Sequence, residues 1–81
     1  MMHLTLMSPT NKQTLTITWL EVPTPRGSFV VKKGHAPLIS LIEPNKEIFM
    51  GFPDGTTTLM TIAGGIVQVD REKILLLLTH E

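Results

Sequence analysis

Apolar and polar residues alternate along most of this chain with a period of two. In His3-Leu4-Thr5-Leu6-Met7 the leucines share one face, which predicts a first strand. Ser8-Pro9-Thr10-Asn11-Lys12 is turn chemistry. The clearest strand pattern runs from Gln13 to Val22. Leu15, Ile17 and Trp19 fall on one face and Thr14, Thr16 and Thr18 on the other. Leu20 and Val22 then carry the apolar face on the opposite parity, which predicts a bulge, a bend or passage from one sheet to another. Trp19, continuing the Leu15/Ile17 face, is expected in the core. Pro23-Thr24-Pro25-Arg26-Gly27 is expected to break the ladder, because proline has no amide hydrogen to donate.

Ser28-Phe29-Val30-Val31 and Leu38-Ile39-Ser40-Leu41-Ile42 predict two short strands around the corner Gly34-His35-Ala36-Pro37. Gly34 can take a backbone conformation closed to other residues, and Pro37 fixes its own φ and pushes Ala36 away from helix. The corner should therefore be stiff and hold His35 in one direction. Glu43-Pro44-Asn45-Lys46 is a turn. Glu47 to Phe52 and Thr56 to Ile62 predict a hairpin closed by Pro53-Asp54-Gly55. Gly64-Gly65 interrupts the pattern before Ile66-Val67-Gln68-Val69, as at a bulge or where another backbone comes close. Asp70-Arg71-Glu72-Lys73 is a polar loop. Ile74 to Leu78, apolar on both faces, predicts a buried strand paired with the preceding one. No stretch sustains a helical period. Roughly nine short strands, with turns about every 8–12 residues, predict an all-β sandwich or barrel.

A length of 81 residues fits one domain, read as residues 1–81, whose single core supplies only ~3–5 kcal/mol. There is no cysteine, so disulfides and cysteine-ligated metals cannot reinforce it. Seven basic and seven acidic residues cancel, which argues against nucleic acid as a partner. The longest apolar run, Ile74 to Leu78, is far short of the ~18 residues of a membrane helix. Any membrane association is expected to be indirect, through a partner.

Catalytic chemistry is poorly supplied. His3, His35 and His80 have no metal-ligand spacing, and no nucleophile motif is present. Gly64-Gly65 lacks the setting and the lysine of a phosphate-binding loop. Asp70 and Glu72 alternate with Arg71 and Lys73, as a solvated charged turn does. No catalytic, metal or cofactor residue is expected. Arg26, Lys32 and Lys33 are expected to cluster around the corner. That cluster is either a solvated rim or a small basic face for a polar or acidic partner. His35 is either a structural residue that holds the corner or a contact residue.

Val22-Pro23, Gly27-Ser28-Phe29-Val30-Val31 and Gly34-His35-Ala36-Pro37-Leu38-Ile39, with Gly64-Gly65-Ile66-Val67-Gln68-Val69 downstream, resemble the N-terminal domain of the epsilon subunit of F-type ATP synthases. The resemblance covers nearly the whole chain. It implies a flattened antiparallel β-sandwich of two sheets in the rotor's central stalk, with the gamma subunit and the c-ring as partners. It implies a role in coupling ion translocation to ATP synthesis without bond chemistry, at the cytoplasmic face of the inner membrane, peripherally. Carried over residue by residue, Pro25, Arg26, Gly27, Ser28 and Lys33 form the ring side. His35, Pro37, Leu38 and Ser40 form the gamma side, and Gly34, Gly64 and Gly65 are structural. The family commonly has an acidic residue where Ser28 stands and proline where Lys33 stands. It also usually continues into a C-terminal helical hairpin that can block ATP hydrolysis. No such helical domain, and so no hairpin-based self-inhibition, is expected of this chain. The competing readings are a free-standing sandwich that binds a peptide or sugar, and a small metal-dependent β-barrel enzyme.

Overall fold

The computed structural model describes residues 2–79, and among them the chain forms nine strands and no helix. In order they are β1 (Met2–Met7), β2 (Lys12–Ile17), β3 (Trp19–Thr24), β4 (Gly27–Lys32), β5 (Leu38–Ile42), β6 (Lys46–Gly51), β7 (Thr57–Ile62), β8 (Gly65–Asp70) and β9 (Lys73–Leu78). They make two sheets, a five-stranded one ordered β2-β1-β9-β8-β5 and a four-stranded one ordered β4-β3-β6-β7. The sheets stack into a flattened sandwich of 27 × 27 × 20 Å. The pairs are antiparallel with one exception. β1 and β9 run parallel in the middle of the larger sheet, with Leu6 opposite Leu76. A parallel pair needs a long crossover, and here the rest of the domain supplies it.

The period-two pattern translates directly into the core. Met2, Leu4 and Leu6 of β1, Val67 and Val69 of β8, and Ile74 and Leu76 of β9 point inward. They meet Leu20, Val22, Val31, Ile48 and Met50 of the other sheet in one buried cluster. No polar or charged side chain is buried among the described residues. Burial of apolar area, at roughly 25 cal/mol per Å², is therefore the dominant cohesive force.

The parity switch after Ile17 is passage between sheets. β2 belongs to the larger sheet and β3 to the smaller, and Thr18 is the hinge. Both its backbone N–H (2.8 Å) and its hydroxyl (3.2 Å) donate to the Gly51 carbonyl of β6. This crossing corrects the placement of Trp19. Once the chain changes sheet, Leu20 and Val22 are the buried residues of β3, so Trp19 faces outward and is only half-buried. Its indole lies over Gly51, where an added Cβ would collide with the ring. A glycine paired across from an aromatic residue is a recurrent way of covering bare backbone.

Two further expectations are corrected. Pro23 does not break the ladder. It lies inside β3 opposite Ser28, and its carbonyl accepts from the Glu43 N–H at 2.9 Å. Pairing with β6 covers only Trp19 to Glu21, so the missing amide hydrogen faces a stretch where no ladder bond is needed. β9 is not buried on both faces. Ile74 and Leu76 are buried, but Leu77 is 40% exposed, because no described residue covers the outer face of the larger sheet there.

The Pro53–Gly55 hairpin turn forms as its residues predict. Gly55 N–H donates to the Phe52 carbonyl at 3.0 Å and Phe52 N–H to the Thr56 carbonyl at 2.9 Å. The Asp54 carboxylate accepts from the Thr56 hydroxyl (2.6 Å) and the Thr56 N–H (2.9 Å). These two bonds, the hydroxyl's first, hold its pKa below the ordinary carboxylate value. A depressed folded-state pKa contributes stability above the unfolded value that disappears as pH falls through the folded one. The stability lead of the native chain over Asp54→Asn should thus be full at neutral pH, start to fall near the unfolded value of about 3.9, and be lost as pH drops through the lower folded value. Urea denaturation at pH 7 and pH 2.5 checks this, and a lead that persists in acid contradicts it.

Candidate docking surfaces

The corner between β4 and β5 is built from local sequence. Gly34 has φ +88°, a conformation that side chains rarely adopt. His35 N–H closes the turn onto the Lys32 carbonyl at 3.0 Å. The His35 ring is half-buried, with Nδ1 2.7 Å from the Ala36 carbonyl oxygen. Its other neighbour is Phe29, whose ring centroid lies 6.0 Å away at 39°. Pro37 beyond it is exposed. Lys33 sits at this same end and pairs with Glu72 of the β8–β9 turn at 3.5 Å, with both side chains largely exposed. Such a pair contributes little to stability.

The β3–β4 turn lies at the opposite end. Pro25, Arg26, Gly27 and Ser28 are all exposed there. The Thr24 hydroxyl ties the turn by donating to the Gly27 carbonyl at 2.6 Å and accepting from Arg26 N–H at 3.2 Å. The structure therefore does not bring Lys33 together with Pro25–Ser28. Nor does Arg26 join Lys32 and Lys33 in one basic cluster. β4 runs extended between the two groups, and six residues at ~3.3 Å each separate them by about 20 Å.

The expected gamma-side residues divide in the same strict way. His35 and Pro37 are at the corner surface. Leu38 and Ser40 share the inward parity of buried Ile42, and Leu38 packs against the core. The outward residues of β5 are Ile39, 71% exposed, and Leu41, 63% exposed. Register extends Leu41 into a row across four strands, through Ile66 of β8 and Leu77 of β9 to Met7 of β1. The row borders an apolar groove of about 450 Å³, whose walls include Pro25, Pro44, Ala63, Gly64 and Gly65. Sequence reading missed this surface. The available signal was that Leu38–Ile42 and Ile74–Leu78 carry apolar residues at both parities.

Gly64 and Gly65 lie where the chain passes from β7 into β8. The Gly64 carbonyl accepts from both the N–H and the hydroxyl of Thr79, each at 3.2 Å. A Cβ on Gly65 would run into the Leu77 carbonyl oxygen. Among the described residues no three His, Cys, Asp or Glu side chains gather as a metal site would require, and no helix is long and apolar enough to cross a membrane. His3 lies on β1 and His35 at the corner, while His80 falls outside the described residues.

A family model described as the β-sandwich domain of the ATP synthase delta/epsilon chain matches residues 1–80. The chain belongs to that family. It is similar to an ATP synthase epsilon chain of Myxococcus xanthus (strain DK1622), 39% identical over 56 residues, 69% of this chain and 40% of the relative. It is also similar to an ATP synthase epsilon chain 2 of Burkholderia orbicola (strain AU 1054), 30% identical over 59 residues, 73% of this chain and 39% of the relative. The matches thus span about two fifths of the length of these curated epsilon chains. Among solved structures, a chain of the Euglena gracilis mitochondrial ATP synthase (OSCP/F1/c-ring) superposes with a TM-score of 0.90. That match has 17% identity and covers 98% of this chain and 51% of the other. A chain of the Tetrahymena thermophila mitochondrial ATP synthase central stalk and c-ring gives 0.81 at 15% identity, covering 96% and 63%. At these identities the structural likeness speaks for the delta/epsilon sandwich fold alone.

Proposed function

We propose that this domain is a non-catalytic rotor subunit of an F-type ATP synthase, gripped by the gamma subunit and the c-ring. In that position it helps couple ion translocation to ATP synthesis. The family match over residues 1–80 carries the reading. The geometry supports it in two ways. The exposed turn Pro25–Ser28 and the corner at His35 and Pro37 stand at opposite ends of β4, so the sandwich can touch two neighbours at once as a rigid spacer. The apolar row through Leu41, Ile66 and Leu77 gives a larger partner something to bury. In this reading Pro25, Arg26, Gly27 and Ser28 face the ring. His35 and Pro37 face gamma, with Leu38 and Ser40 supporting the corner from inside and Lys33 grouped with them by position. The domain reaches the cytoplasmic face of the inner membrane only as part of the complex. The apolar groove is walled mainly by Leu, Ile, Pro, Ala and Gly, which gives the sugar-binding alternative no aromatic platform.

Reconstitution of the intact chain with gamma and c-ring tests the proposal. The chain should co-purify with gamma and restore ATP-driven ion pumping. Arg26→Glu should weaken ring association up to about fivefold at low salt, and less at high salt, as a rim charge does. ATP hydrolysis by the catalytic head alone should not change. Absence of co-purification would refute the rotor reading.

A further inference from the structure

We infer that the open edge of β7 is a self-recognition surface, on which a second copy of this chain pairs its own β7 antiparallel, Leu59 opposite Leu59. β7 ends the four-stranded sheet, with β6 on one side and no strand on the other among the described residues. The Phe52 N–H bond to the Thr56 carbonyl sets the phase of the β6–β7 ladder. Bonded and unbonded pairs alternate in such a ladder, so the backbone groups of Thr58, Met60 and Ile62 turn toward β6. Those of Thr57, Leu59 and Thr61 turn toward the open edge, where no described residue bonds to them. Unpaired edge groups are a template for another strand.

The other edges are guarded and this one is not. β2 opens on Lys12, and β4 begins at Gly27 with φ +115° and ends on Lys32. β5 is flanked by Pro37 and Pro44, and the Glu43 N–H just beyond it bonds to the Pro23 carbonyl of β3, which ties the two sheets on that side. β7 reads Thr-Thr-Leu-Met-Thr-Ile, with no charge, proline or glycine to turn a second strand away. On its side the sandwich stays open along a groove of about 200 Å³, lined by Leu6, Gln13, Met60, Ile62 and Leu78.

The order of residues along the edge names the occupant. With Leu59 opposite its own copy, Thr57 meets Thr61 of the second copy and Thr61 meets Thr57. All three open residues are then bonded in one two-fold arrangement, in which each chain offers the same surface. A shift by two residues would leave one of them without a partner inside the strand. Leu59, 52% exposed, is buried against its counterpart, and threonines facing threonines are a favourable cross-strand pair. The two four-stranded sheets become one continuous sheet. β4 is the far edge of that sheet, so the Pro25–Ser28 turn and the His35 corner stay uncovered. The pairing rests on this edge alone and not on the rotor reading.

A pair of strands buries less than the ~1,200 Å² of a stable interface, so the dimer is a weak one. Sedimentation of the intact chain should show monomer at about 10 μM and substantial dimer by about 1 mM. Leu59→Lys sets like charges opposite each other across the two-fold axis. It should weaken association at least about tenfold and still melt within about 3 °C of the native chain, because position 59 is exposed. The native chain has no cysteine, so single thiols report the register. Paired Cα atoms about 5.5 Å apart suit a disulfide. With dissolved oxygen as oxidant, Leu59→Cys should form a linked dimer at least about tenfold faster than Val30→Cys, an exposed control on the opposite edge of the sheet. A chain still monomeric at about 1 mM overturns the inference. So does a dimer that Leu59→Lys leaves intact, or one that Val30→Cys links as readily.

Discussion

Leu76→Ala leaves the chain predominantly unfolded at 25 °C. Leu76 is fully buried at the centre of the larger sheet, opposite Leu6 of β1 and Val67 of β8, and it points at the smaller sheet. Truncating such a leucine costs about 2–5 kcal/mol, as lost transfer energy plus a cavity. A single core of this size supplies ~3–5 kcal/mol, so one substitution consumes most of the reserve. Leu77→Ala is the control. Its side chain lies one residue on and faces outward, and its loss should cost under ~1 kcal/mol. Far-ultraviolet circular dichroism should show Leu76→Ala without native strand signal, and urea denaturation of Leu77→Ala against the native chain reads the smaller loss. Reversed effects would mean that β9 is slipped by one residue, which would turn every side chain of that strand to the other face.

The same parity rule explains what the sequence could and could not reveal. Strand positions were legible because Leu4/Leu6 and Val67/Val69 alternate with polar neighbours, and because Pro53-Asp54-Gly55 carries its own turn chemistry. The crossing at Thr18 was legible as a change of parity. Trp19 was misassigned by extending the old parity one residue past that change. The cue lay in Gly51, but only after β3 and β6 are known to pair does it become the glycine beneath the indole. The parallel contact of β1 with β9 left no local trace, since it joins strands at the two ends of the described chain. Arg26 and Lys33 are near in sequence and far in space because an extended strand lies between them. Counting residues along Gly27–Lys32 would have separated them.

The surface row was the least legible feature, and the reason is physical. A period-two pattern reports a strand with one wet face. Where both faces carry apolar residues, as in Leu38–Ile42 and Ile74–Leu78, the pattern cannot distinguish a strand covered on both sides from one awaiting cover. The structure resolves it, because the larger sheet has nothing over its outer face among the described residues. In the rotor reading those leucines are the surface that gamma or another stalk element buries, which gives a marginal domain added stability on assembly.

Gly65→Ala tests where that surface joins the core. Gly65 opens β8 opposite Leu78, and a methyl group there would strike the Leu77 carbonyl oxygen. The obstacle is backbone in the neighbouring strand, so no rotamer change relieves it, and β8 and β9 must part at that end. Overpacking of this kind costs ~1–3 kcal/mol, again a large share of the total. Gly27→Ala provides the comparison. Its φ of +115° strains an alanine, but an added Cβ meets nothing within 4 Å, so the loss should be only about 1 kcal/mol and confined to the turn. Hydrogen exchange should show Gly65→Ala releasing the Ile66 and Leu77 amides while the β3–β6 pair stays protected. A Gly65→Ala chain as stable as the native one would mean that β8 and β9 do not approach as closely as Gly65 permits.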